Sequence, residues 1–380
     1  MKVLFVPNMN PISPHVIPLL ALSRRLAENP SITCAFLVPH SQRELFLLKD
    51  ANLLPISHES LRTEMVAYNR FKPDVVIDSM SVSSAVATQL TRTPRVTLQR
   101  TGVFPGCSPK NSDHVHSAGD VAFTPDLTRF GLRQPADHSD LAEADAAIIP
   151  GIRSIEGLPS ALSDDPRYHY SGPLLTQDYL VDADGKVTDD FTIIDEFFAA
   201  DAERPMVFFT FGSSADAPDR VRRCVANLIR SEIRVISTVY LPEVASAEFY
   251  LYAKYLPMHL VCSRATLMIH HCGSGTYQYP VLHALPAITI GTRCYDRDDV
   301  ATRLQELGAS MHIPAPEECP DFEARFEGAV RECLREGAWK RCSMLSALEV
   351  LRDETERTSA AFKCTDVLEF AISRGPRHGS

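Results

Sequence analysis

Short apolar runs separated by stretches with a helical pattern recur along the chain and constrain its fold more than any other feature. The first series includes VLFVP at 3–7, TCAFLVP at 33–39 and DVVIDSM at 74–80. Between the first two, residues 15–28 carry apolar side chains at helical spacing. Apolar strands that alternate with helices predict a parallel sheet covered by helices on both faces.

The same pattern restarts in the second half with MVFFTFG at 206–212. Further strands are predicted at IRVIST, ATLMIHH and PAITIG. A helix is predicted at 298–308, with Asp298 as its N-cap and Gly308 just past its end. The two series predict an α/β fold with two doubly wound, Rossmann-like domains that face each other across a cleft. Ligands of such sheets bind beyond the carboxyl ends of the strands.

The chain of 380 residues is long enough for two domains of ordinary size. We predict an N-terminal domain over 1–175 and an acidic, turn-rich linker over 176–204. A second domain follows over 205–350. Residues 351–380 are predicted to form a helix that returns to the first domain.

The net charge of −10 argues against nucleic acid as the main partner, because phosphate binding needs clustered Lys and Arg. No apolar run is long enough to span a bilayer, and the opening MKVLFVPNMN lacks the apolar core of a signal peptide. We expect a cytoplasmic protein without stable membrane insertion that acts as a monomer or a homodimer.

The first candidate site follows the first predicted strand. Ser13 and Pro14 fit the start of a helix, which places His15 in its first turn at the carboxyl edge of the sheet. The positive end of the helix disfavours an imidazolium, so His15 is a candidate general base. Asp78, at the end of another strand, can supply a carboxylate that stabilises the imidazolium as it forms. The alternative is that His15 packs or caps and that Asp78 caps the following helix.

The second candidate site follows the predicted strand TLMIH, where the chain continues HCGSGTYQYPVLHAL. Small residues let backbone amides approach a ligand, and a helix that starts here would direct its N–H groups at an anion. Gln278 replaces the third glycine of GxGxxG, and no Gly-Lys-Ser/Thr follows, so neither the dinucleotide fingerprint nor a Walker loop is present. An oxidoreductase is therefore disfavoured. The alternative is an ordinary glycine-rich turn.

Taken in order along nearly the whole chain, these segments resemble the family-1, GT-B-fold glycosyltransferases that use UDP- or TDP-sugars. PHVIPLLALSRRL is similar to the opening helix of that family, with His15 at the position of the catalytic base. DVVIDSMSVSSAVA is similar to the segment whose Asp, here Asp78, partners that base. HHCGSGT resembles the diphosphate loop, and YDRDDVATRLQELGAS resembles the stretch that binds sugar hydroxyls. These last two segments are the most specific part of the resemblance.

The resemblance implies a donor site built by the second domain. It comprises the Gly-Ser loop after the first strand, a tyrosine in KYLPM that stacks on the base, the diphosphate loop, and two residues at the sugar. These residues are Gly212, Ser213, Tyr255, His271, Gly273, Ser274, Gly275, Thr276, Asp296 and Arg297.

The sequence departs from the family pattern at several of these positions. Tyr279 replaces the ribose-binding Glu, Val300 replaces an Asn, and Pro14 replaces the Gly before the base. Arg297 stands where the family has Gln and can pair bidentately with a carboxylate, which would suit a sugar acid. The alternative is an Arg297 that faces outward.

The acceptor site is expected in loops of the first domain. Thr101–Asp126 is rich in Gly, Pro, Ser and His and has no clear period, so we interpret it as an acceptor-binding loop. Phe104 and His114 are its candidate contacts. His114-x-His116 alone is a weak ligand pattern, and the D-x-D at Asp182 is typical of a solvated turn. We therefore expect no metal, and no cofactor besides the nucleotide sugar as co-substrate.

Together these features predict inverting, metal-independent transfer of a sugar from a UDP- or TDP-sugar to a hydroxyl, or another nucleophile, of a small-molecule acceptor. Two alternatives stay open. A nucleotide-sugar 2-epimerase would isomerise the sugar without an acceptor. The departures at Tyr279, Arg297 and Val300 leave open a catalytically weak auxiliary protein that binds nucleotide sugars.

Overall fold

The computed structural model describes residues 1–8, 13–39, 46–56, 60–104, 140, 142–176, 178–201, 204–212 and 216–374. The chain divides into two compact units. Unit 1 comprises Met1–Thr176 and Glu356–Ser380, and unit 2 comprises Gln177–Thr355.

Within the described residues, unit 1 is built on a seven-stranded parallel sheet with the order β3-β2-β1-β4-β5-β6-β7. Its strands are β1 (Lys2–Pro7), β2 (Thr33–Pro39), β3 (Leu53–Ile56), β4 (Val75–Ser79), β5 (Arg95–Leu98), β6 (Ala146–Ile149) and β7 (Tyr168–Tyr170). Its helices are α1 (Ser13–Ala27), α2 (Leu61–Phe71), α3 (Val82–Thr91) and α11 (Cys364–Ser373).

Neighbouring side chains of β1 and β4 join different apolar clusters because strand residues alternate between the two faces of a sheet. The cluster on the face that α1 and α11 cover includes Val3, Phe5, Val75 and Ile77. The cluster on the face that α2 covers includes Leu4, Val6 and Val76. All of these side chains are almost completely buried.

The described residues of unit 2 repeat this plan with a six-stranded parallel sheet, ordered β12-β11-β10-β13-β14-β15. Its sheet strands are β10 (Met206–Thr210), β11 (Arg234–Ser237), β12 (Tyr250–Tyr252), β13 (Leu267–His270), β14 (Ala287–Ile290) and β15 (Met311–Ile313). A separate antiparallel pair is formed by β8 (Leu180–Val181) and β9 (Val187–Thr188). Its helices are α4 (Thr192–Ala199), α5 (Asp219–Arg230), α6 (Met258–Arg264), α7 (Gln278–Leu282), α8 (Tyr295–Glu306), α9 (Phe322–Leu334) and α10 (Trp339–Ala361).

The α/β fold class with two doubly wound parallel sheets, predicted from the sequence, is confirmed. In each sheet the strand order reverses beside the first strand, between β1 and β4 in unit 1 and between β10 and β13 in unit 2. Such a reversal point is where open α/β sheets bind ligands. Residues 178–199, inside the predicted linker, contain β8, β9 and α4 and lie within the bounds of unit 2.

The helix predicted over 298–308 begins three residues earlier, at Tyr295, so Asp298 is not its N-cap. The Asp298 carboxylate instead accepts the backbone N–H of Thr292 at 3.0 Å from inside the helix. Gly308 follows the end of α8 with a φ of 75°, as predicted. Among the described residues, no helix combines the length and the apolar character needed to cross a membrane.

Candidate functional site

His15 lies in the first turn of α1, beyond the carboxyl end of β1. Its Nδ1 is 2.8 Å from Oγ of Ser79, the last residue of β4. Burial lowers the pKa of the His15 imidazole to about 4, so the ring is neutral at pH 7. A neutral imidazole that is held through one nitrogen can accept a proton at the other.

Asp78 was predicted to be the partner of the base, but in the structure its carboxylate bonds to Arg95 and Ser81, and the His15 ring meets Ser79 instead. Its carboxylate is completely buried and pairs with Arg95, with Nε to Oδ1 at 2.9 Å and Nη2 to Oδ2 at 3.1 Å. It also accepts the backbone N–H of Ser81 at 3.0 Å, just before α3. Burial raises the pKa of the Asp78 carboxyl, and the charge of Arg95 opposes that rise. Asp78 therefore forms a buried ion pair in the interior of unit 1.

Strand alternation explains why Ser79, and not Asp78, meets His15. Val76, two residues before Asp78, belongs to the apolar cluster on the α2 face. Ile77, two residues before Ser79, belongs to the cluster on the α1 face, where His15 also lies. This signal was present in the sequence, because residues two apart in VVIDS share a face.

In unit 2, the loops after β10 and β13 meet around the imidazole of His271. The side chain is 1% exposed and stacks on Phe211, with ring centroids 5.4 Å apart and planes at 21°. A Cβ added to Gly212 would lie 2.9 Å from His271 Cε1, and one added to Gly273 would lie 2.8 Å from Nε2 and 3.4 Å from Thr276 Oγ1. Only glycine allows this approach, and Gly212 also has a φ of 63°. Four of the predicted donor-site residues therefore come together here.

The turn after Gly273 presents three backbone amides. Ser274, Gly275 and Thr276 are partly exposed, and within the described part of the chain their N–H groups donate to no protein acceptor. The next amide along, that of Tyr277, donates to the Gly273 carbonyl at 3.1 Å. The helix predicted to start directly at this loop begins later, since α7 runs only from Gln278 to Leu282. Adjacent N–H groups in a turn form a concavity suited to an anion.

The side chain of His270 holds the backbone of this loop through a hydrogen bond. Its completely buried Nδ1 accepts the backbone N–H of Cys272 at 3.0 Å, and Cys272 itself has a φ of 60°. Burial lowers the pKa of His270 to about 3, which keeps the ring neutral and able to accept that bond. The consecutive histidines at 270 and 271 were a visible signal, but only the second had been given a role.

Tyr255 precedes α6, and its ring stacks on Tyr179 with centroids 4.5 Å apart and planes at 20°. Its backbone N–H and C=O bond to Val181 at 3.1 and 2.9 Å. Burial raises the pKa of the Tyr255 hydroxyl. One face of the ring predicted to stack on a nucleotide base is thus covered by Tyr179, a residue that the sequence analysis missed.

Tyr279, which replaces the glutamate of the family pattern, is buried near the same two tyrosines. Its ring lies edge-on to His259, with centroids 4.9 Å apart. His259 Nδ1 is 3.2 Å from His283 Nε2, and Asp178 accepts the backbone N–H of His259 at 2.9 Å. This position is therefore occupied by an aromatic ring packed among histidines.

The other predicted site residues lie elsewhere along the chain. Phe104, predicted to contact an acceptor, is 1% exposed and packs edge-on against Tyr168 in an apolar cluster of unit 1. Arg297 lies in the first turn of α8 and is partly exposed. Ser213, His114 and the side chain of Asp296 lie outside the described residues.

The D-x-D at Asp182 belongs to the turn between β8 and β9, where Asp182 Oδ1 accepts the backbone N–H of Lys186 at 2.8 Å. The carboxylate is thus used in the turn. Among the described residues, no three His, Cys, Asp or Glu side chains converge as a metal site would require.

Comparison with known proteins supports the same interpretation. Residues 241–359 match the family described as erythromycin biosynthesis protein CIII-like, C-terminal domain. The chain is 25% identical to aklavinone 7-beta-L-rhodosaminyltransferase of Streptomyces galilaeus, over 47% of this chain and 40% of that enzyme. It is 24% identical to 3-alpha-mycarosylerythronolide B desosaminyl transferase of Saccharopolyspora erythraea, over 70% of this chain and 63% of that enzyme. The matches thus span less than two thirds of each relative.

Solved structures share the fold over nearly the whole chain. The crystal structure of glycosyltransferase VinC in complex with DTDP superposes with a TM-score of 0.69 at 16% identity, covering 99% of this chain and 100% of that one. The fold is therefore the GT-B fold of natural-product glycosyltransferases. The resemblance to glycosyltransferases that use UDP- or TDP-sugars, stated from the sequence, is confirmed by the matched family and by these relatives.

Proposed function

We propose that this chain transfers a sugar from a TDP-sugar to a hydroxyl of a small natural-product acceptor. The matched relatives are named as transferases of sugars to natural products. The structural neighbour VinC was solved with DTDP, which favours TDP over UDP as the carrier.

The observation that carries the proposal is the pair of loops around His271. Gly212 and Gly273 admit a ligand close to the imidazole, and three neighbouring turn amides are directed at no protein acceptor among the described residues. Preorganised N–H donors of this kind stabilise the negative charge that develops on a diphosphate leaving group. The loops occupy the reversal point of the unit 2 sheet, where the fold binds ligands.

We assign the proton-accepting step to His15. In this mechanism the acceptor hydroxyl gives its proton to Nε2 while its oxygen forms a bond to the anomeric carbon. The bond from that carbon to the diphosphate oxygen breaks, and TDP leaves with the electron pair. A single displacement inverts the anomeric carbon. The neutral imidazole at pH 7 meets the first requirement of such a base.

Nucleotide binding is tested by a thermal-shift screen with TDP, UDP and TMP. We expect TDP to raise the melting temperature most, since a ligand present at 100 times its Kd stabilises a fold by about 2.7 kcal/mol. TMP lacks the β-phosphate that the loops would hold and serves as the matched control. An equal shift with TMP and TDP would contradict the role of the loops.

Two further parts of the proposal are tested once transfer has been observed. These are inversion at the anomeric carbon and turnover without a metal ion. The anomeric proton coupling of the product should show the configuration opposite to that of the donor. Turnover should be unchanged in excess chelator, since the proposal gives the diphosphate charge to protein donors. Retention of configuration, or loss of turnover with chelator that added metal restores, would overturn the corresponding statement.

A further inference from the structure

We infer that Ser79 is the positioning residue of His15 and that its hydroxyl oxygen accepts the Nδ1–H of the imidazole. This leaves the lone pair of Nε2 directed away from Ser79 to take the acceptor proton. The inference rests on the proposed function and specifies how its base is held.

Ser79 is fixed in place by the backbone around it. The side chain is 3% exposed, and its carbonyl accepts the N–H of Asn8 at 2.9 Å. Asn8 also donates from Nδ2 to the Met80 carbonyl at 3.1 Å. Because Ser79 ends a central strand that is paired with Pro7 of β1, its hydroxyl has a defined position beside His15.

In the described part of the chain, no charged group bonds to the His15 ring in place of Ser79. The 2.8 Å contact with Ser79 is the hydrogen bond that the His15 ring makes there, and Asp78 and Arg95 are occupied with each other on the opposite face of the sheet. The burial that lowers the pKa of His15 to about 4 is accordingly not offset by a carboxylate. A hydroxyl is therefore the group that selects between the two neutral forms of the ring.

The direction of this hydrogen bond follows from the chemistry of the step. A neutral imidazole carries one N–H, and the bare nitrogen is the base. If the Ser79 hydroxyl donated to Nδ1, the proton would sit on Nε2 and the ring could not act as a base there. If Ser79 accepts from Nδ1, the same bond persists after Nε2 is protonated, because both nitrogens of an imidazolium are donors.

The first experiment reads the tautomer without any reaction. Protein labelled with ¹⁵N-histidine is measured by long-range ¹H–¹⁵N correlation at pH 7, and His15 is assigned from the signal missing in His15→Gln. We expect a protonated Nδ1 and a bare Nε2 in the wild type, and loss of this preference in Ser79→Ala. A wild-type ring protonated at Nε2 would overturn the inference, whether or not the chain transfers sugar.

The second experiment compares kcat and KM of Ser79→Ala with those of Ser79→Thr. Loss of the hydroxyl should lower kcat about 10- to 100-fold, part of the ~10²–10⁴ that a general base contributes, and leave KM for the donor within about twofold. Ser79→Thr keeps a hydroxyl in a strand that tolerates a β-branched residue and should recover most of kcat.

The matched control is Ser23→Ala, which removes another buried hydroxyl of unit 1, one that donates to the Leu20 carbonyl at 2.9 Å. Its kcat should be unchanged. Equal kcat in wild type, Ser79→Ala and Ser79→Thr would overturn the inference. Absence of transfer by the wild type with every acceptor would instead count against the proposed function, and the tautomer measurement would still decide the role of Ser79.

Discussion

Gly273 shows how one missing methyl group defines the candidate donor site. A Cβ at this position would lie 2.8 Å from His271 Nε2, closer than real Cβ contacts come. The ring has little room to give way, because Phe211 stacks on it and the side chain is almost completely buried. The consequence of a substitution should therefore appear in ligand binding.

We predict that Gly273→Ala displaces the His271 ring and weakens TDP binding about tenfold or more, a loss of ~1.4 kcal/mol or greater. Gly328→Ala is the control, since a Cβ there meets nothing within 4 Å and lies inside α9. That variant should bind TDP as the wild type does and gain roughly 0.5–1 kcal/mol of stability, as glycine replacement inside a helix allows. Isothermal titration measures the TDP affinity of both variants. Equal affinity in the two variants would count against the site.

A second prediction at the scale of single residues concerns Asp78. Asp78→Asn leaves the Arg95 guanidinium buried without its ionised partner, which should cost ~3–5 kcal/mol of unfolding free energy. The kcat of the folded fraction should stay within a few fold, because Asp78 does not touch His15.

Urea denaturation and kcat at saturating donor provide the two measurements. The control is Asp165→Asn, whose partner Arg167 lies 2.6 Å away in a partly exposed pair, so that less than about 1 kcal/mol should be lost. Unchanged stability of Asp78→Asn together with loss of transfer would instead support the catalytic role predicted from the sequence.

The secondary-structure elements show which parts of the fold were readable in the sequence. Apolar runs identified β1, β2, β4, β10, β13 and β14 because those strands are buried on both faces. The start of α8 was misplaced because Asp298 has the preference of an N-cap, yet its carboxylate reaches back to Thr292 from within the helix. Local propensity cannot reveal a partner that only the folded chain supplies.

The last helix supplies a prediction at the scale of elements. α11 lies in unit 1, and its Leu368 is completely buried in the cluster on the α1 face. Leu368→Ala should cost ~2–5 kcal/mol of unfolding free energy, as cavities in cores do. Ile372 on the same helix is 38% exposed, so Ile372→Ala should cost within about 0.5 kcal/mol. Chemical denaturation separates the two, and equal costs would show that α11 does not belong to this core.

At the scale of the whole molecule, burial shifts the pKa values of histidines and of a glutamate in opposite directions, so their effects on stability have opposite pH dependence. His15 in unit 1 and His270 in unit 2 have pKa values of about 4 and about 3, below the usual 6.5, because burial disfavours their charged forms. Unfolding lets them bind protons, so the stability present above pH 6.5 is lost as the pH falls toward 4 and 3. Burial raises the pKa of Glu64 to about 7 from 4.5, so its contribution is present below pH 4.5 and is lost as the pH rises through 7.

We predict that Glu64→Gln removes the loss of stability that unit 1 suffers between pH 4.5 and pH 8. Glu64 is almost completely buried, and its Oε1 accepts from Ser84 Oγ at 2.7 Å, a bond that an amide oxygen can keep. Relative to the wild type, the variant should gain ~3 kcal/mol over this interval, from a pKa difference of about 2.5 units.

Urea denaturation at pH 4.5 and pH 8 measures that gain. Exposed Glu28 provides the control, and Glu28→Gln should follow the wild type at both pH values. If the free energy of unfolding changed with pH in Glu64→Gln as it does in the wild type, the raised pKa of Glu64 would be contradicted.

The candidate site was predictable where it depends on chain order and was not where it depends on side-chain direction. The loop at His271 and the position of His15 follow from strand ends, which the sequence marks. Ser79, Tyr179 and the burial of Phe104 depend on which face a side chain takes and on what packs there. Alternation in VVIDS was sufficient for Ser79, whereas the contact between Tyr179 and Tyr255 joins residues 76 positions apart and left no local signal.

The activity that we propose is sugar transfer from a TDP-sugar to a small acceptor. It is tested by mass spectrometry of the purified chain incubated with TDP-sugars and a panel of natural-product aglycones in the presence of chelator. We expect an acceptor heavier by one sugar residue and one equivalent of released TDP. A donor that binds yet is recovered unchanged beside every acceptor, or is converted to its epimer without one, would contradict it.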